Sequence, residues 1–331
     1  LLSWKSGKEH VVAGGVNQSL FHPLGPDSDC HAEEVAQHLL MRKLLWGLAV
    51  FFCVWIVGTA LVAPAVYSLL GVWGWETIPF RRIFNRVLMV WALVLLVPLA
   101  WYWGVRSWRA VGLVRTRWKE GLVRGGMLGI ASMVLLVGLH LLAGSREWQP
   151  QLTAAKALEF TASALAVGFF EEILFRGMLV LAVWHLVGRK QTVPLVFGSA
   201  LLFATVHFLK VPDLAGPVGW THGWQSWAGS VPSSELWSGL APRWVSLLWV
   251  GFILSAVVVR TGSLWPAIGL HAGWVWVRLL ASKLTGHGDG VGLWFGNEFE
   301  TGLVPLAVLT ALLVWWTGRP GHVAGSDPDR A

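Results

Sequence analysis

Charge is scarce in this chain: 13% of its 331 residues are Asp, Glu, Lys or Arg, about half the roughly 25% of an ordinary soluble domain. A surface with so little charge does not face water over most of its area. Cysteine is rarer still. The two present, Cys30 in a polar leader and Cys53 within an apolar run, exclude a disulfide framework and a thiolate zinc site by number. Also missing are His-Glu-x-x-His, Gly-x-Ser-x-Gly and any pair of aspartates at membrane depth. These absences argue against a zincin, a serine hydrolase of the elbow type and a membrane aspartyl protease. The excess of 25 basic over 18 acidic residues lies between apolar runs rather than along a polar stripe, so it speaks for membrane topology and against a nucleic-acid partner.

What is abundant is apolar: 55% of the chain, including 24 Trp. Such a composition excludes a disordered scaffold. Residues 1–40 are polar without sustained period and read as a leader or an extension ahead of Met41-Arg42-Lys43. The 27 residues from Leu44 to Leu70 exceed the ~7–15 residue core of a cleaved signal, so they read as a retained span. Further apolar windows fall near 87–105, 125–143, 153–176, 178–187, 194–209, 244–259, 264–281 and 303–317. Segment 178–187 is too short to cross alone, which gives eight or nine membrane segments. Lipid forces each span to satisfy its own backbone, and no alternating pattern is visible. The expected fold is therefore an all-α, polytopic transmembrane bundle over 41–317, followed by a disordered tail over 318–331.

The loop from Arg106 to Arg124 carries six basic residues and one acid, Glu120, and should face the cytoplasm. The stretch from Lys210 to Arg243, rich in Pro, Gly, Ser and Trp, reads as a long interfacial loop. Counting 178–187 as a crossing places it on the cytoplasmic side as well. On that parity, spans 153–176, 194–209 and 264–281 all run in the same direction. Glu171 and His207 then lie near one side and His271 roughly 10 Å shallower, at 1.5 Å per residue. Arg81, Arg82, Arg86, Arg189 and Lys190 count against this orientation.

Ionisable residues inside apolar helices are the functional clue, since each costs from about 2.5 kcal/mol upward at a helix centre and needs a partner or a cavity. Three clusters qualify. In Gly168-Phe169-Phe170-Glu171-Glu172-Ile173-Leu174-Phe175-Arg176, Glu172 and Arg176 share a helical face while Glu171 points about 100° away. Next, Phe203 and His207 stand one turn apart. Third, His271 lies between Gly269 and Gly273, whose spacing lets another helix approach closely. Each has a structural alternative: acids at a wet helix end, an interfacial histidine, or helix-to-helix glue. His140 and His185 read as structural. Converging, Glu171, His207 and His271 could bind a divalent ion, zinc first, or hold a water directly with Glu171 as general base.

The motif Glu171-Glu172-x-x-x-Arg176, then Phe203-x-x-x-His207, then an intramembrane His271 resembles the CPBP family of intramembrane glutamate proteases and metalloproteases. That family includes type II CAAX prenyl endopeptidases and bacteriocin-processing enzymes. The likeness covers roughly 153–281. It implies a helical catalytic core that cleaves a membrane-associated peptide or protein in the bilayer, with the active site toward the cytoplasm of an inner (plasma) membrane. It also implies roles: Glu171 activates water with His207, Glu172 with Arg176 braces the helix, Phe203 packs the site, and His271 helps hold an oxyanion or a metal. The family usually has Asn or Asp four residues after that last histidine, whereas here stands Val275, which donates no hydrogen bond. A non-catalytic membrane scaffold, an immunity or secretion factor, or a transporter stays open beside the protease.

Overall fold

The computed structural model describes residues 26–318, except 76, 210, 213, 215, 232 and 233. The expectations for most of the leader (1–25) and for nearly all of the tail (319–331) lie outside the described residues. Contacts divide the chain into two compact units, Leu1–Arg42 and Lys43–Ala331. In the smaller unit the described chain is helical from Pro26 onward. The larger unit holds the remaining helices and the three clusters of ionisable residues singled out above.

Apart from a three-residue antiparallel ladder, β1 (Arg146–Trp148) with β2 (Thr285–His287), the secondary structure of the described residues is helical. The helices are α1 (Pro26–Val72), α2 (Phe80–Trp103), α3 (Trp118–Leu142), α4 (Ala154–Glu172), α5 (Val183–Val187), α6 (Thr192–Val206), α7 (His222–Ser230), α8 (Ser234–Thr261), α9 (Trp265–Leu284) and α10 (Leu303–Gly318). Between α4 and α5 runs a ten-residue π-helical segment, Ile173–Ala182. Among the described residues, four stretches are long and apolar enough to cross a bilayer: Val35–Val72, Phe80–Trp103, Trp118–Leu142 and Leu240–Thr261. Thr192–Val206 and Leu303–Gly318 are shorter apolar helices. The protein is thus a helical membrane protein, with these four full-length candidate spans and two shorter apolar helices among its described residues.

The path departs from the sequence expectation at 178–187. Instead of a separate crossing, that segment continues α4 through the π segment, whose flanking residues Glu172 and Val183 keep right-handed helical torsions. Hydropathy breaks at Arg176-Gly177, but the helix does not. Arg176 is fully buried against Glu172, so the charge that divides the apolar pattern is neutralised inside the bundle. The reversal comes later, at Gly188, where φ is +83°; glycine meets that left-handed torsion without steric cost.

Helix α6 then returns antiparallel. Trp184 Nε1 donates to Thr192 Oγ1 at 3.0 Å, and Ser199 Oγ donates to the Phe175 carbonyl at 3.1 Å. The Phe175 and Phe203 rings meet edge-on at 5.2 Å, and His207 reaches Glu171. Partners fall on one helix as they rise on the other. Helix α9 is likewise antiparallel to α4, since Trp276 Nε1 donates to Thr161 Oγ1 at 3.0 Å and His271 meets Glu172. It runs parallel to α3, since Gly121 faces Pro266 while Trp274 Nε1 donates to Ser132 Oγ at 2.9 Å. Successive elements α3, α4–α5 and α6 therefore alternate in direction. The parity read from sequence is overturned: the chain entering α3 and the chain leaving α6 lie at opposite ends of the bundle.

The close approach expected at Gly269 and Gly273 is to α3, where Gly125, Gly126 and Gly129 face them. A Cβ on Gly273 would stand 2.7 Å from the Gly126 carbonyl oxygen, and one on Gly269 would collide with that of Leu122. Small residues on both sides let the two backbones touch. The stretch 210–243 is no simple loop. It contains α7 and the start of α8, and Trp227 Nε1 ties α7 to the Ile56 carbonyl at 3.1 Å. Packing fixes a helix where Gly and Ser alone suggest none.

Candidate active site

The two glutamates end α4, just before the helix widens. Thr153 starts that helix by accepting a hydrogen bond from the Lys156 amide at 3.3 Å, and apolar residues carry it inward. Helix α6 delivers Phe203 and His207 at its C-terminal end, and α9 delivers His271. All six residues singled out in the sequence, Glu171, Glu172, Arg176, Phe203, His207 and His271, fall in one cluster.

One half of the cluster is closed. Glu172 and Arg176 have no exposed side-chain surface, and Arg176 Nη1 donates to Glu172 Oε1 at 2.9 Å. The same oxygen accepts from His271 Nδ1 at 2.8 Å. Arg176 also directs Nη2 at the Gly251 carbonyl, 3.4 Å away, and sets its guanidinium 4.4 Å from the centre of the Phe203 ring. The Phe203 ring in turn lies 4.4 Å from that of His207 and so stands between the cation and the imidazole.

The other half is open. Glu171 keeps 22% and His207 27% of their side-chain surfaces exposed. Glu171 Oε2 lies 3.5 Å from His207 Nε2 and 3.8 Å from His271 Nε2, and it has no hydrogen-bond partner among the described residues. The imidazole tautomers follow from their other contacts. His207 Nδ1 is 2.7 Å from the Phe203 carbonyl, an oxygen that only accepts, so the proton sits on Nδ1. His271 Nδ1 faces a carboxylate oxygen already held by arginine, so it too carries the proton. In the neutral rings both Nε2 lone pairs turn toward Glu171.

This open half forms one end of a cavity of about 420 Å³, within the size range of small-ligand sites. Its walls come from α1, α2, α4, the π segment and α6, and are apolar, with Phe52, Leu88, Leu93, Leu174 and Leu202 among them. Asn85 of α2 also lines it. The sequence reading passed over this residue. The available signal was an amide inside an otherwise apolar helix, masked by the neighbouring Arg81, Arg82 and Arg86. Val275 is half-buried on α9 and supplies no donor.

Among the described residues, no group of three or more His, Cys, Asp or Glu side chains is arranged to hold an ion. The two imidazole Nε2 atoms lie nearest one carboxylate oxygen, Glu171 Oε2.

Comparison with known proteins brings a family match. Residues 153–277 match the family model of the type II CAAX prenyl endopeptidase Rce1-like proteins. No curated protein and no solved structure matches the chain. The matched segment runs from the cap of α4 into α9 and includes every one of the six clustered residues, whereas α1, α2 and α3 lie before it. Over residues 153–277, then, this membrane protein is similar to the type II CAAX prenyl endopeptidase Rce1-like family, a likeness that covers less than half of the chain.

Proposed function

We propose that the protein is an intramembrane endopeptidase that cleaves a membrane-associated peptide or protein with water activated by Glu171. The observation that carries this reading is the division of the glutamate pair: Glu172 is fully enclosed and paired through Oε1 with Arg176, while Glu171 lines the cavity, keeps 22% of its side chain exposed, and sets Oε2 near two imidazole nitrogens with no arginine among the described residues bound to it.

A water seated among Glu171 Oε2, His207 Nε2 and His271 Nε2 meets three acceptors. It donates its protons inward, which turns an oxygen lone pair toward the cavity. As that oxygen attacks a peptide carbonyl carbon, one proton passes to Glu171. The tetrahedral intermediate then breaks its C–N bond, and Glu171 returns the proton to the leaving nitrogen. Its Nδ1–H held by Phe203, His207 cannot rotate away, and His271 is fixed likewise by Glu172. In this assignment His271 is an acceptor that positions water, rather than the oxyanion donor implied by the family likeness.

Access for the substrate follows from the apolar wall, which suits an unfolded segment arriving within the bilayer. The sequence expectations of a cytoplasmic 106–124 and a cytoplasmic active site pull apart here, because the chain leaving His207 runs to the bundle end opposite 106–124. Lateral entry frees the chemistry from that choice.

The test is cleavage of quenched single-span peptides of varied sequence, reconstituted with the protein in liposomes and analysed by mass spectrometry. Wild type should cut at least one peptide, and Glu171→Gln should leave it intact. Equal cleavage by both proteins overturns the reading. Treatment with 1,10-phenanthroline should leave the rate within about twofold; a rate lost to chelation and restored by zinc would replace direct glutamate chemistry by a metal-assisted route.

A further inference from the structure

Attack of water on a peptide develops negative charge on the substrate carbonyl oxygen, and a hydrogen-bond donor aimed at that oxygen is worth a large factor in rate. The catalytic cluster offers none. The Nδ1 proton of His207 is given to the Phe203 carbonyl, and that of His271 to Glu172. Arg176 is fully buried behind Phe203. The cavity-wall residues lie in helices except His207 and Leu209, whose amides turn back to the Thr205 and Val206 carbonyls. Two other side chains in the walls carry N–H groups, Trp55 and Asn85. The indole of Trp55 donates to the Leu88 carbonyl at 2.9 Å, which leaves the Asn85 amide, a group without a hydrogen-bond partner among the described residues.

The position of Asn85 along the cavity agrees. Its neighbour Phe84 is buried in one cluster with Val211 and Ala63, and Val211 lies four residues beyond His207. The N-terminal part of α2 is therefore at the end of the cavity where α6 terminates and Glu171 sits, while Leu96 and Leu99 line the cavity farther along α2. Asn85 is exposed and lines the cavity rather than being packed in a core.

We infer that Asn85 of α2 donates the hydrogen bond that stabilises the oxyanion, and that the catalytic site is completed by a residue outside the 153–277 domain. The inference rests on the protease reading above. The amide forms no covalent bond; it binds the carbonyl oxygen as the C–O bond order falls and releases it when the carbonyl reforms.

The experiment uses the full chain in liposomes with a quenched single-span peptide that wild type cleaves, and compares wild type, Glu171→Gln, Asn85→Ala, Asn85→Asp and Asn85→Gln. Asn85→Ala should lower kcat about 100-fold with KM within about threefold and thermal unfolding unchanged. Asn85→Asp should be at least as slow, because a carboxylate repels the oxyanion. Asn85→Gln should regain at least about tenfold over alanine, a rescue that a packing role would not give. The inference is overturned alone if Asn85→Ala keeps kcat within about threefold of wild type while Glu171→Gln is silent. If Glu171→Gln cleaves as fast as wild type, the protease reading falls and takes the role of Asn85 with it.

Discussion

Glu171 and Glu172 are chemically identical, adjacent in sequence and carried on the same turn, yet their surroundings have little in common. Glu172 is enclosed, held by an arginine at 2.9 Å and a histidine at 2.8 Å. Glu171 stands at the edge of a cavity, with its nearest imidazole nitrogens at 3.5 and 3.8 Å. The roughly 100° between successive helical residues is enough to enclose one as a structural anion and to leave the other, the base proposed above, at the cavity edge. A buried charge therefore does not announce chemistry by itself; the decisive property is whether its neighbours have already answered it.

The contrast is tested most severely from the closed side. Replacing Arg176 with Ala leaves Glu172 buried without its main partner and should cost about 3–5 kcal/mol of stability, read as a large drop in the unfolding midpoint in detergent. Glu172→Gln should do similar damage, and the double variant Glu172→Gln with Arg176→Met should recover most of it. On the open side the signature inverts. Glu171→Gln should unfold within a few degrees of wild type while cleavage falls at least about 100-fold, the scale of a lost general base.

His271 touches both glutamates, so His271→Ala should show both signatures: a loss of about 2 kcal/mol from its hydrogen bond to a buried carboxylate, and slower cleavage. Phe203→Leu is the mildest. It removes the aromatic face beneath the Arg176 guanidinium, about 1 kcal/mol, and loosens the partition between arginine and His207. A labelling test has no energetic size but fixes direction. With Cys30 and Cys53 replaced by Ser, Trp108→Cys and Trp220→Cys, both at exposed positions, should react from opposite faces of sealed vesicles with an impermeant reagent; reaction from the same face would restore the parity read from sequence.

The site was more legible in the sequence than the path of the chain that builds it. Glu171 to Arg176, Phe203 to His207, and His271 are charged or polar residues in apolar surroundings, and lipid makes such residues conspicuous. The glycines at 269 and 273 announced a close helix crossing, though not that α3 would supply it. Direction was lost at Arg176-Gly177, where a hydropathy window records a break because it cannot see that Glu172 cancels the charge. One miscounted crossing inverts every later span. Asn85 escaped for the opposite reason: an uncharged amide beside three arginines leaves little trace in a count of charge, and only the cavity reveals which way α2 turns it.

The ten-residue π segment between the two ends of this long helix acts as an expansion joint. A π turn takes up more residues than an α turn over the same stretch of axis, so the segment absorbs a phase offset between the helix on its two sides. Upstream, the rotation of α4 is dictated by the glutamates. Downstream, α5 must bring Trp184 onto Thr192 to seat the hairpin that returns His207. A uniform α-helix would tie those two demands to one rotation; with slack between them, mutations that refit the hairpin need not re-aim the base.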